Sequence, residues 1–131
     1  TKLARLFAAH DGLFIATPEY NSSLPPLLKN VIDWVSRVSH DGDKSLKPYP
    51  GRVVAIGSSS SGHFAGARAI IHLRGILSHI GMLVIPEQIS VPNAGSAFDS
   101  MGRLADDRAQ QNLAKTVKSL LSYSSNLSPR V

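Results

Sequence analysis

The sequence predicts an α/β domain in which a parallel sheet carries helices on both faces. Three observations predict it. Residues 13–16, 53–57 and 82–85 are short continuous apolar runs, of strand length and without the alternation of a half-exposed strand. Amphipathic stretches separate them. The 131 residues, 43% hydrophobic and 18% charged, suit one ordinary core. Strand–helix alternation demands crossovers, and right-handed crossovers gather every strand-to-helix loop at one edge of the sheet.

Each element follows in order. Residues 2–9 place Leu3, Leu6 and Phe7 at helical spacing, and Asp11-Gly12 closes them. The strand at 13–16 is stopped by Thr17-Pro18. Ser22 and Ser23 supply hydroxyl caps, and Pro25-Pro26 fit a first helical turn. The helix they open reaches about Val38 with Leu28, Val31, Ile32 and Val35 on its apolar face. Residues 40–51 read as a polar loop. The strand at 53–57 leads through four serines and Gly62 to a helix over 65–80, buried by Ile70, Leu73, Leu77 and Ile80 and capped by Gly81. The strand at 82–85 ends at Pro86. Residues 87–102 read as loop, with a short extra strand near Ile89. A last helix spans 104–121, and the Ser/Pro-rich segment 122–131 reads as a loose tail. The whole of 1–131 reads as one domain without repeats.

Composition excludes several classes. With no cysteine there is no disulfide framework, no thiolate metal site and no Cys nucleophile; this fits a reducing compartment, and the expected location is cytoplasmic. No apolar run approaches the roughly 20 residues of a membrane span, and no secretory leader pattern opens the chain. The net charge of +5 is spread rather than focused, which argues against nucleic acid and suits anionic small molecules. The five histidines show no metal-type pairing with carboxylates, so no metal is expected.

Two loops at the carboxyl ends of the strands carry the chemistry, because ligands of such sheets bind there. In the first, Pro18-Glu19-Tyr20-Asn21, the proline biases the chain toward an extended shape that turns later N–H groups outward. Tyr20 offers a flat face and a hydroxyl, and Asn21 a donor and an acceptor. The plain alternative is a polar turn that caps the next helix. The second loop runs Gly57-Ser58-Ser59-Ser60-Ser61-Gly62-His63-Phe64-Ala65-Gly66. It has the G-x4-G frame of a phosphate loop, but His63-Phe64 replace the Lys-Ser/Thr that nucleotide hydrolysis needs. Ser61 stands where a G-x-S-x-G elbow needs glycine, so a serine hydrolase is a weak reading. The plain alternative here is a flexible serine-rich turn. Together the loops predict a shallow polar cleft, with aromatic parts from Tyr20 and Phe64, suited to a flat hydrogen-bonding ring such as isoalloxazine.

The stretch from Pro18 to Arg37 (PEYNSSLPPLLKNVIDWVSR) resembles the hallmark of NAD(P)H-dependent FMN reductases. These are flavodoxin-like proteins that include chromate, quinone and azo-dye reductases. Ser61 to Arg74 (SGHFAGARAIIHLR) is similar to that family's second loop and helix, with Ala65 where the family usually has glycine. The resemblance implies a flavodoxin-like three-layer sandwich and FMN and NAD(P)H as cofactors. It also implies hydride transfer through flavin N5 to an acceptor such as free flavin, a quinone, an azo compound or a metal oxyanion. It places Pro18, Glu19, Tyr20, Asn21, Ser58, Ser59, Ser60, Gly62 and His63 at the cofactor, names no catalytic side chain, and makes a homodimer or homotetramer the expected assembly. The family begins with a strand, a Ser/Arg/Asn-rich phosphate loop, a helix and a second strand. The present sequence starts at what resembles the helix before the family's third strand, so the N-terminal strands are expected to be missing and the strand at 13–16 to be an apolar edge. The alternative function is a non-catalytic remnant of the fold that serves in assembly or interaction.

Overall fold

The computed structural model describes residues 1–127. In chain order it holds α1 (Lys2–Ala8), β1 (Gly12–Pro18), α2 (Pro26–Ser36), β2 (His40–Asp41), β3 (Lys44–Ser45), β4 (Val53–Ser59), α3 (Ala67–His79), β5 (Leu83–Val91) and α4 (Asp107–Leu127). The main sheet is parallel in the order β1-β4-β5. Among the described residues β1 is therefore an edge, as expected for 13–16. No helix among them is long and apolar enough to cross a membrane.

The pleat of β4 divides the core. Val54 and Ile56 join Ile32, Val35, Ile70, Leu73 and Leu77 in one apolar cluster beneath α1, α2 and α3. Val53 and Ala55 join Ile85 and Leu120 of α4 on the other side. All four of these β4 side chains are fully buried, which is why 53–57 reads as a continuous apolar run. The result is a three-layer α/β sandwich of flavodoxin-like type.

The helix ends have local causes. Pro25 (φ −65°) is the residue before α2 and Pro26 opens it, so the fixed proline angle starts the helix without a side-chain cap. The expected caps Ser22 and Ser23 do not serve as such. Gly81 (φ +87°) ends α3, with the Met82 N–H donating to the Leu77 carbonyl at 3.0 Å, the six-residue closure of a Schellman turn. Asp106 caps α4 by accepting from the Arg108 and Ala109 N–H groups at 2.7 and 3.3 Å.

Three expectations need correction. The loop 40–51 contains the small antiparallel ribbon β2–β3, turning at Gly42 (φ +60°). The strand at 82–85 does not stop at Pro86: β5 runs on to Val91, absorbing the separate strand expected near Ile89. A register shift against β4 takes up the proline between Val84, opposite Val54, and Gln88, opposite Ile56. Arg74 of α3 holds this irregular stretch, donating to the Ile85 carbonyl at 2.9 Å and to Gln88 Oε1 at 2.8 Å. Finally, residues 122–127 are the last turns of α4 rather than a loose tail; 128–131 lie outside the described residues. Ser125 and Asn126 bond back to the Leu121 and Ser122 carbonyls, each at 2.9 Å, and Ser124 is buried. A Cβ on Gly12 would stand 2.2 Å from Ser124 Oγ, so the glycine is what admits this turn against β1.

Candidate functional site

Strand register sets the site. Thr17 pairs with Ser58 and Pro18 with Ser59, so the loops that leave β1 and β4 start side by side. In the first loop Thr17 is buried and its hydroxyl donates to the Pro18 carbonyl at 2.9 Å. The Tyr20 N–H donates to the Ser23 carbonyl at 2.9 Å, and the Ser23 N–H returns to the Tyr20 carbonyl at 3.1 Å. Between them Asn21 (φ +49°) and Ser22 (φ +66°) both occupy the left-handed region. Reciprocal bonds around two such residues define a tight turn of type I′. Its tip is exposed, Tyr20 included. Among the described residues the N–H groups of Asn21 and Ser22 have no acceptor.

The second loop is more tightly woven than a flexible serine-rich turn. Ser58 is buried, and its hydroxyl donates to the Ala65 carbonyl at 2.6 Å and meets Ser90 Oγ at 3.2 Å. Ser59 donates through Oγ to the Val91 carbonyl, and the Ser60 N–H donates to the same oxygen. Ser60 Oγ accepts from the Gly62 N–H at 3.2 Å. These hydroxyls fasten the loop to β5 and to itself. Gly62 and His63 are exposed, and the His63 ring meets Phe64 edge-on at 6.1 Å. Ala65 (φ +55°) holds the left-handed conformation where the resembling family usually has glycine. Gly66 (φ +79°) follows it, so close under Ser58 that a Cβ would fall 2.7 Å from that residue's own Cβ. Among the described residues none of Ser58 to Ser61 bonds a histidine, which leaves the hydrolase reading without a dyad.

Side chains join the loops in a way the sequence did not signal. The Glu19 carboxylate takes the Arg68 guanidinium at 2.6 and 2.8 Å and the Arg68 N–H at 3.2 Å. The Glu19 side chain is only 7% exposed. Burial opposes its ionisation, but the hydrogen bonds and charge of Arg68, with the N–H groups of Arg68 and Ala69, win, and its pKa lies below the ordinary 4.5. Ser23 Oγ shares a 2.9 Å hydrogen bond with Nδ1 of His72. Arg68 also lies 5.1 Å over the Phe64 ring. Both bonded pairs are 49 residues apart, beyond any periodicity.

Beside the loops, on the α4 face of the sheet, lies an apolar hollow of about 640 Å³. Pro18, Ser58 and Ser59 of the predicted set border it, with Phe14, Ile89 and Phe98. Glu19, Tyr20, Asn21, Ser60, Gly62 and His63 lie outside it. Its outer wall is the segment after β5, read from sequence as plain loop. That segment is pinned by a bridge between Phe98 and Leu104 and by Asp99, which accepts from the Met101 and Arg103 N–H groups. A hollow of similar size, about 650 Å³, opens near Arg37, Lys47 and His79 at the amino ends of the strands, away from both loops.

The donor set fits the ring of a flavin. Turn N–H groups with no acceptor among the described residues, exposed rings at Tyr20 and Phe64, and no nucleophile–base pair among the described residues in the second loop suit a planar, carbonyl-rich guest that brings its own chemistry.

Known proteins are similar to this chain. The sequence model of the family described as NADPH-dependent FMN reductase matches residues 1–96. The chain is 38% identical over 113 residues to an NAD(P)H-dependent FMN reductase of Pseudomonas aeruginosa, a match covering 86% of this chain and 58% of the relative. It is 43% identical over 83 residues to a quinone reductase of Escherichia coli, covering 63% of this chain and 41% of that protein. These matches thus cover about half the length of the curated relatives, 58% of one and 41% of the other. The flavoenzyme NAD(P)H:(acceptor) oxidoreductase FerB of Paracoccus denitrificans superposes with a TM-score of 0.79 at 25% identity, over 98% of this chain and 68% of its own. On the family match, the relatives and the shared fold, this chain belongs to the NADPH-dependent FMN reductase family.

Proposed function

We propose that the protein works in NAD(P)H-dependent reduction of small molecules through bound FMN, with quinones as the favoured class of acceptor. The observation that carries the reading is the pair of adjoining loops: a rigid turn with free Asn21 and Ser22 N–H donors, fastened beside the Ser58–Gly62 turn. The family and the quinone reductases among the relatives support it. FMN would supply hydride acceptance from NAD(P)H and electron delivery to the second substrate. Pro18 and the N–H groups of the first turn would hold the ring, with the exposed Gly62–His63 segment near it. Ser58, Ser59 and Ser60 would keep the second loop in shape. Fixed donors of this kind stabilise negative charge that a ring gains on reduction, and they do so without reorganising. Glu19 is tied to Arg68, which holds its pKa below the ordinary value and makes it a weak general base.

A homodimer or homotetramer belongs to the same proposal, supported by the α2 face where Leu27 and Trp34, seven residues apart, are 74% and 70% exposed. So does a cytoplasmic location, supported by the nicotinamide nucleotide such a reaction consumes.

Fluorescence titration with FMN and with riboflavin tests the reading. The proposed contacts of the two loops are to the ring that FMN and riboflavin share, so both flavins should bind, and the FMN-loaded protein should oxidise NADPH when a benzoquinone is added. A protein that quenches neither flavin would sink the redox reading and favour the assembly role.

A further inference from the structure

We infer that Glu19–Arg68 and Ser23–His72 are a pair of straps that position the exposed tip of the first loop, and that Glu19 and Arg68 are thereby positioning residues for flavin reduction. The inference rests on the flavin reading above. Glu19 stands just before the Tyr20–Ser23 turn and Ser23 closes it. Their partners Arg68 and His72 are four residues apart on α3, hence on one helix face. One face of one helix therefore grips both ends of a four-residue turn.

The turn needs that grip. Asn21 tolerates a left-handed backbone, but Ser22 gains nothing from it, so local preference alone does not hold the tip. The grip at Glu19 is directional. Two guanidinium nitrogens and one backbone N–H converge on a nearly buried carboxylate, which fixes the plane of the group as well as its position. Arg68 also covers Phe64 of the second loop, so the same side chain couples both loops that would flank the ring. Through these contacts α3, the turn and the second loop form one rigid body. The direction of the Asn21 and Ser22 N–H groups is then set by residues that need not touch the ligand.

The test compares wild type with Glu19→Ala, Glu19→Gln, Arg68→Ala, Arg68→Lys and the double variant Glu19→Ala/Arg68→Ala. Each is checked for a native circular-dichroism spectrum. In protein without flavin, amide exchange over 20–23 should accelerate in both Ala variants. With flavin, each Ala variant should bind FMN roughly tenfold more weakly, show an altered flavin absorption band, and lose kcat at saturating FMN. The double variant should be no worse than Arg68→Ala alone, because both changes remove the same strap. Arg68→Lys should fall near Arg68→Ala, since an ammonium cannot reproduce the fork, whereas Glu19→Gln should recover part of the loss. If wild type binds flavin, and Glu19→Ala binds it with the same affinity, absorption band and kcat, the positioning role of Glu19 and Arg68 is overturned alone. If wild type binds no flavin, the flavin reading fails first and takes the positioning role with it.

Discussion

Ser58 and Gly66 show how few atoms set the second loop. The Ser58 hydroxyl is spent on the Ala65 carbonyl at 2.6 Å, and Gly66 passes beneath it in a conformation that only glycine adopts without strain. Removing the hydroxyl in Ser58→Ala leaves a buried carbonyl short of its partner and should cost about 1–2 kcal/mol. Gly66→Ala must find room for a Cβ 2.7 Å from that of Ser58, at positive φ, and should cost about 2 kcal/mol or more. Gly75 is the control. It sits inside α3 with open space where a Cβ would stand, so Gly75→Ala should stabilise by about 0.5–1 kcal/mol. Urea denaturation of the three variants checks the order. A Gly66→Ala protein as stable as wild type would remove the steric account of the loop.

At the scale of elements, the turn and its helix face are coupled by charge, and that coupling has a pH window. Glu19 has a folded pKa below its ordinary 4.5, because Arg68 outweighs the burial that would raise it. A depressed carboxyl stabilises the folded state fully above its unfolded value, and the contribution fades as pH falls through the folded value. Exchange over residues 20–23, corrected for intrinsic rates, should be flat from neutral pH to about pH 5 and rise below about pH 4. Glu19→Gln should flatten the profile. A profile that instead changes near neutrality would show that a group other than Glu19 controls the turn.

The same scale shows what was readable in the sequence. Strands at 13–16 and 53–57 and the four long helical patterns were legible because burial imposes period and continuity on nearby residues. Adjacent placement of the two loops followed from parallel topology alone. The extension of β5 past Pro86 was not legible, since its support comes from Arg74 on another element. Nor was the end of α4. Its serines and asparagine look loop-like until the helix carbonyls they bond and the gap at Gly12 are known. The straps were hidden for the same reason: Glu19 and Ser23 read as loop polarity, and their partners lie 49 residues away.

For the whole molecule, the proposed homodimer or homotetramer needs a surface that a second copy would cover. Leu27 and Trp34 project from one face of α2 and are mostly exposed, an unusual cost for two large apolar groups seven residues apart. Aromatic anchors of this kind dominate interfaces when they are buried and contribute little when they are not. Trp34 is the sole tryptophan of the chain, so its own emission reports which case holds. If α2 forms the interface, emission should shift to shorter wavelength as protein concentration rises, in step with sedimentation of a species at least twice 14.0 kDa. Trp34→Ala should then weaken association by about 2 kcal/mol or more, roughly thirtyfold in the dissociation constant. Its effect on the stability of the isolated subunit should stay within about 0.5 kcal/mol, because the side chain is solvent-exposed there. A sedimenting species that stays dimeric in Trp34→Ala would place the interface elsewhere, with the edge of β1, unpaired among the described residues, the next surface to mutate.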